Sequence, residues 1–347
     1  MLIRRPFDAH VHLRDGSMLE AVVPATARSC AGALVMPNLV PPVTTRAAAQ
    51  AYRSRILAAV PPGVAFDPLL TCYLTDGIDP DEVVSGFEAG DWVAAKLYPA
   101  HATTNSAHGV SSVAAIDHVL AAMAAAGMPL CVHGEVTDPA VDIFDREAVF
   151  LQTVLAPLLE RHPTLRVVVE HATTKASADF VQAAGETVAM SITAHHLWWN
   201  RNALFAGGLR PHAYCLPVLK RERDREALVA AATSGHPRVF FGSDSAPHLV
   251  HKKETDCGCA GVYSAPTALS AVAAVFAEAG AMDQLEGFLS TRGPSWYGQA
   301  PSTETVSVSE RTWTPQAALE TSEGAVRVFL GGEDVRYWVG AGAVIGG

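Results

Sequence analysis

This chain is short of positive charge: 25 Lys and Arg stand against 35 Asp and Glu, a formal net charge of -10 over 347 residues. That shortage argues against a nucleic-acid or anionic-membrane partner, since both require basic surface. It also makes each Arg or Lys beside a motif informative, because an acidic protein that handles an anion must concentrate its cations locally. Cysteine is sparse too: Cys30, Cys72, Cys131, Cys215, Cys257 and Cys259 are scattered, several in apolar runs such as Leu130-Cys131-Val132. Reduced, buried thiols of a cytoplasmic protein are expected, not a disulfide framework. No apolar run is long enough to span a membrane, and the stretch around Val119 to Val132 is broken by Gly127 and Pro129. Met1 to Pro6 contains no apolar leader core, so no signal peptide is expected. Repeats and low-complexity segments are absent.

With 49% hydrophobic residues, the chain can bury a sizeable core. Short apolar runs rich in Val, Ile and Phe alternate with Ala- and Leu-rich segments. The runs predict strands over Phe7–Leu13, Ala33–Asn38, Phe66–Leu74, Val93–Tyr98, Leu130–Gly134, Arg166–His171, Ala189–Thr193 and Val239–Ser243. Helices are expected over Met18–Cys30, Arg46–Ala59, Val113–Ala126, Arg146–Glu160 and Arg221–Thr233, with a further helical run from Pro266 to Gly280. Eight strands each followed by helix describe an α/β (β/α)8 TIM barrel, whose catalytic groups sit at the C-terminal ends of the strands. Residues 1–347 read as one barrel domain. Residues 302–347 form a short Gly- and Thr-rich extension with strand-like stretches and no assigned role.

Polar residues recur at those strand ends. In Asp8-Ala9-His10-Val11-His12-Leu13-Arg14-Asp15-Gly16, the period-two alternation of a strand would aim both imidazoles to one side, a pairing that suits a divalent metal. Alone, His-x-His is as easily chance. Arg14 supplies a fork suited to a carboxylate. Lys96 lies inside the apolar run Val93–Tyr98, where a lysine needs a partner or must snorkel to the rim. His133 and His171 close their strands; one such histidine is more often a hydrogen-bonded core group, but two are harder to dismiss. Asp244 follows Phe240-Phe241-Gly242-Ser243 and would be costly to bury without a cation or metal, although a turn cap is the alternative. The coincidence of His10, His12, Lys96, His133, His171 and Asp244 on one barrel rim points to a metal site. The loop His101–Gly109 is small, polar and ends in glycine, as a mobile lid would be. Cys257-Gly258-Cys259 has the wrong spacing for a zinc knuckle, and His195-His196 is not needed to complete the ligand set.

The stretches Asp8–Gly16, Met36-Pro37-Asn38, Ala95–Pro99, Val132–Glu135 and Gly242–His248, in that order, resemble the monofunctional bacterial dihydroorotases of the metal-dependent amidohydrolase superfamily. The likeness runs from about Phe7 to Gly298. Ser243 stands where the family pattern has Thr, and His101 where it has Asn; neither is a ligand position. The resemblance implies a binuclear site of two divalent ions, zinc by expectation, with Lys96 carbamylated by carbon dioxide (N6-carboxylysine) as the bridge. His10, His12 and Asp244 would hold the more buried metal, and His133 and His171 the other. A bridging hydroxide would be the nucleophile, with Asp244 as general acid/base. Arg14, Asn38 and His248 would hold the substrate carboxylate, backbone groups of Leu216 and Ala260 would meet the ring, and Thr103 and Thr104 would close over it. The implied reaction is reversible cyclisation of N-carbamoyl-L-aspartate to L-dihydroorotate in pyrimidine synthesis, by a cytoplasmic homodimer. Another cyclic amide hydrolase of hydantoinase or allantoinase type, or a metal-free scaffold homologue, remains open as an alternative. The carboxylate-binding set disfavours a neutral ring, and the complete ligand set disfavours the scaffold.

Overall fold

The computed structural model describes residues 1–340; the end of the extension, residues 341–347, lies outside the described residues. The described residues form thirteen strands. They are β1 (Leu2–Arg4), β2 (Phe7–Val11), β3 (Gly32–Val35), β4 (Asp67–Tyr73), β5 (Ala94–Leu97), β6 (Leu130–Val132), β7 (Val167–Val169), β8 (Val188–Ile192), β9 (Val239–Phe241), β10 (Thr305–Trp313), β11 (Ala318–Thr321), β12 (Gly324–Arg327) and β13 (Val335–Gly340). Strands β2 to β9 pair in sequence order as one eight-stranded parallel sheet. Its two edges meet just beyond the strand ends, where the Asp244 amide donates to the His10 carbonyl at 2.8 Å and the His12 amide to the Ser245 carbonyl at 3.1 Å. The sheet is therefore a closed barrel, and the expected fold class holds.

All eight expected strands are present, but most end two or three residues early. Among the trimmed positions are polar ones: His12, Asn38, His133, His171 and Ser243 lie in the loops that open onto the rim. Helices follow the strands, among them Gly16–Ser29, Arg46–Ala59, Pro80–Glu88, Asp117–Ala126, Lys175–Ala183, Glu222–Thr233 and Ala268–Glu278. Local chemistry sets their ends: Thr45 and Thr174 cap the amides of Ala48 and Ser177, and Gly127 closes Asp117–Ala126 at φ 68, a left-handed turn that suits glycine. The expected helix over 146–160 carries a π-helical turn at Leu151–Leu155, so its hydrogen-bond ladder is interrupted. The helices Pro80–Glu88 and Lys175–Ala183 follow strands after which the barrel pattern expects a helix but the sequence suggested no bounds.

Two apolar cores follow from strand alternation. Phe7, Ala9, Leu34, Leu69, Ala94, Cys131, Val168, Ala189 and Phe240 fill the barrel interior together with Trp296 and Tyr297. Their strand neighbours, such as Ala95, Leu97, Leu130, Val132, Val167 and Val169, point outward into the larger core beneath the helices. The interior is thus packed below and free to carry polar groups only at the C-terminal rim. The extension forms a second sheet, ordered β1-β10-β13, and a β11–β12 hairpin. β13 lies against the helix Ala268–Glu278, and Phe329 bonds through its backbone to Tyr263 and Thr267. Among the described residues no helix is long and apolar enough to cross a membrane.

Candidate metal and substrate site

The barrel's inward alternation delivers three of the site's groups directly. Two residues beyond interior Ala94 comes Lys96, two beyond Cys131 comes His133, and two beyond Val168 comes Glu170. β2 reaches the same point by a different route. Phe7 and Ala9 face the interior, but the β2–β3 register shifts between Asp8 and Val11, after which it is His10 and His12 that point inward. Their Nε2 atoms are 3.3 Å apart. Gly242 makes room for them: a Cβ there would lie 3.0 Å from the His10 Cβ and 3.1 Å from that of Ser191. His171 and Asp244 enter on left-handed backbone, φ 41 and 42, and Arg14 does so at φ 59. Such conformations are costly for these residue types and cluster where function constrains the chain.

His10, His12 and Asp244 form one group able to hold a metal. The Asp244 Oδ1 is 3.3 Å from His10 Nε2 and 3.0 Å from His12 Nε2. His12 Nδ1–H donates to Asn38 Oδ1 at 2.8 Å, which leaves the Nε2 lone pair facing the group. His133 Nε2–H likewise donates to Glu135 at 2.9 Å, freeing Nδ1. The His133 and His171 rings are 5.0 Å apart, as are those of His10 and His171. The buried Nδ1 of His171 has no hydrogen-bond partner, and such an orphan among imidazoles fits a metal-ligand role. Lys96 is wholly buried, salt-bridged to Glu170 and 4.8 Å from the centre of the Tyr98 ring.

Electrostatics follow from burial and from these contacts. Burial opposes the charge of Asp244, but the neighbouring His10 and His12 outweigh it and hold the carboxyl well below its usual range. His12 is lowered to about 4, chiefly by burial. For His10, burial is overcome by the Glu170 and Asp244 charges, and its pKa rises to about 9. Glu170 was overlooked at the level of sequence. Its Oε1 stands 3.0 Å from His10 Nδ1, and its other oxygen meets Lys96. The cue was present, since the two-residue step that selects Lys96 and His133 also selects Glu170. Tyr98 was also missed; its buried hydroxyl has no partner and the residue lines the cavity.

The residues expected to bind an anion assemble beside this cluster. Arg14 donates from Nε to the Pro247 carbonyl at 3.2 Å and from Nη2 to His248 Nε2 at 3.0 Å. Both Nη1 hydrogens and one on Nη2 remain for an anion. Burial and then Arg14 push His248 down to about 2, so it is neutral. Asn38 donates to the Thr104 carbonyl at 3.1 Å, while Thr104 Oγ1 donates to the Ala260 carbonyl at 3.4 Å. The loop 101–109 therefore lies over the site. Arg14, Asn38, Thr103, Thr104, Leu216 and Ala260 all line one cavity with His10, His12, His133, His171 and Asp244; Lys96 and His248 sit just outside its wall. Only about 20 Å³ is left in it, room for a water molecule and little more. A separate group, His195, His196 and Cys215, also gathers, but both His196 nitrogens are engaged, by Thr193 at 2.8 Å and the Pro217 carbonyl at 3.1 Å.

Comparison with known proteins decides between the cyclic amide hydrolases. The model of the amidohydrolase family matches residues 6–286. A dihydroorotase of Erwinia tasmaniensis is 54% identical over 341 residues, 98% of this chain and 97% of its own. The chain belongs to the dihydroorotases of the amidohydrolase family. A solved dihydroorotase from Campylobacter jejuni superposes with TM-score 0.89 at 35% identity, covering 98% of this chain and 97% of that one. An L-hydantoinase from Arthrobacter aurescens shares the fold at TM-score 0.80 with 17% identity, covering 97% of this chain and 82% of its own. Dihydroorotases of this family are metal-dependent, and the candidate metal-binding groups described above fit that requirement.

Proposed function

We propose that this site interconverts N-carbamoyl-L-aspartate and L-dihydroorotate, the small molecules of the dihydroorotase reaction. The observation that carries the reading is the joining, in one cavity, of a His/Asp cluster with the unsaturated Arg14 fork. His10, His12 and Asp244 would hold one divalent ion and His133 and His171 a second, zinc being the ion such N/O donor sets favour. Lys96, as its carbamate with carbon dioxide, would join the two. Metal held there would ionise water near neutral pH and polarise the ring carbonyl.

The chain's own groups supply the remainder. Arg14 receives the substrate carboxylate in bidentate fashion, with the spare Asn38 N–H and the neutral His248 beside it. Leu216 and Ala260 offer backbone groups to the ring, and Thr103 and Thr104 shut out water once the loop is down. Asp244 carries the proton. Its Oδ1 faces both imidazoles, so Oδ2 accepts the proton during ring opening and returns it to the departing ring nitrogen. Ring closure is the reverse and starts from protonated Asp244.

This reading treats the chain as a single domain in which the extension braces the helix Ala268–Glu278. The free buried thiols of Cys30, Cys72, Cys131 and Cys215 support a cytoplasmic setting. Sedimentation of the purified chain tests the homodimer that the resemblance implies. The activity test is direct: purified protein is mixed with dihydroorotate and the ring's ultraviolet absorbance followed with and without chelator. Loss of absorbance that chelator abolishes is expected. No change with metal-replete protein would refute the function.

A further inference from the structure

Lys253 is 4% exposed, yet it forms no salt bridge among the described residues. Its ammonium instead donates to three main-chain carbonyls: Tyr214 at 3.1 Å, Cys259 at 2.9 Å and Gly261 at 2.6 Å. Three donors meet three acceptors, so the group is fully satisfied by dipoles alone. Burying a cation in this way is expensive compared with leaving it in water, and the arrangement needs a reason.

The reason lies in what those carbonyls belong to. Tyr214 sits two residues before Leu216, and Cys259 and Gly261 flank Ala260; Leu216 and Ala260 both line the cavity. The two segments are also bonded to each other, Gly261 amide to Tyr214 carbonyl at 3.0 Å. Because the carbonyls on either side of Ala260 are drawn to Lys253, the carbonyl of Ala260 itself points away, to Thr104 Oγ1. The turn that permits this depends on glycine. A Cβ on Gly258 would lie 2.4 Å from the Lys253 carbonyl, and Gly261, at φ +150, would place one 2.5 Å from the Ala246 carbonyl.

We propose that Lys253 is a positioning residue that clamps the Tyr214–Leu216 and Cys259–Gly261 segments into the wall that receives the substrate's ring and the closed lid. The assignment rests on the dihydroorotase reading of the cavity. Lys253 touches no metal-site residue and no group that moves a proton, so its loss acts on binding and not on chemistry.

The test compares native enzyme with Lys253→Met, each as the metal-loaded protein, by steady-state kinetics on dihydroorotate, metal analysis and calorimetric binding of orotate, a planar ring anion. In Lys253→Met, KM and the orotate Kd should both rise by about tenfold or more, the value of one lost charge-assisted bond. Turnover number should stay within about threefold and metal content should be native. If Lys253→Met is insoluble, Lys253→Gln, shorter and uncharged, is read by the same criteria. Native KM and native orotate affinity in a soluble variant overturn the proposal, as does a fall in turnover and metal content at unchanged KM. Native enzyme inert towards dihydroorotate would instead overturn the function, which keeps the two failures apart.

Discussion

Replacing Arg14 by methionine removes the one permanent cation of the cavity while leaving a side chain of similar length. In the structure the Arg14 fork is held on one edge by the Pro247 carbonyl and His248, and its backbone carbonyl accepts from the Tyr52 hydroxyl at 2.8 Å. The free edge is thus preorganised, and little entropy is lost when a carboxylate docks. Truncating one partner of a buried, hydrogen-bonded charge pair costs about 2–5 kcal/mol. At about 1.4 kcal/mol per decade, kcat/KM on dihydroorotate should fall roughly 30- to 4,000-fold. The substitution also strands the Pro247 carbonyl and His248 Nε2, so a loss of ~1–3 kcal/mol in folding stability should appear in urea melts. Metal content should not change, because Arg14 contacts no residue of the His/Asp cluster. The decisive assay sets dihydroorotate beside dihydrouracil, the same ring without its carboxylate. If Arg14→Met lowers kcat/KM on both rings by the same factor, Arg14 does not read the carboxylate and the assignment fails.

The other predictions concern the metal site and the lid. Lys96→Ala should lose metal and nearly all activity, with partial recovery when a short carboxylic acid is added to the buffer; metal analysis returning native content alongside full activity would exclude the bridging role. Changing Thr103 and Thr104 together to Ala should lower turnover in both directions at native metal content, because their hydroxyls act in the closed state; unchanged turnover numbers would make the loop 101–109 an ordinary surface loop. Asp244→Asn keeps the shape and an oxygen but removes the proton carrier, so ring opening and ring closure should collapse together by microscopic reversibility. Activity surviving in one direction alone would refute that role.

The strand residues themselves encode a good part of this architecture. Apolar runs of strand length between Ala-rich segments are enough to specify a barrel, because each run can be buried on both faces only with helices outside and neighbouring strands beside it. Within a run, period-two alternation determines that Lys96, His133 and Glu170 share the face of Ala94, Cys131 and Val168. That regularity is local and needs no tertiary knowledge, and followed along Val167–Val169 it reaches Glu170 as well. The order of the motifs was legible as well, since an eight-fold barrel places successive strand ends around one rim.

Where local periodicity stops, the tertiary structure decided. His10 and His12 point inward because β2 slips its register after Asp8, and that slip exists only in the pairing with β3. His171 and Asp244 reach the site through left-handed backbone, which costs energy that packing elsewhere must supply. The extension looked like an appendage, yet its strand β10 pairs with β1, Leu2 opposite Ser307, a contact between residues some three hundred positions apart. In sequence Lys253 is one of two adjacent lysines, Lys252-Lys253; only the fold brings the carbonyls of Tyr214 and Gly261 within reach of its ammonium. Spacing along the chain determines which side of a strand a residue takes. Which distant groups it then meets depends on the closing of the barrel, a contact between residues more than two hundred positions apart that no local pattern specifies.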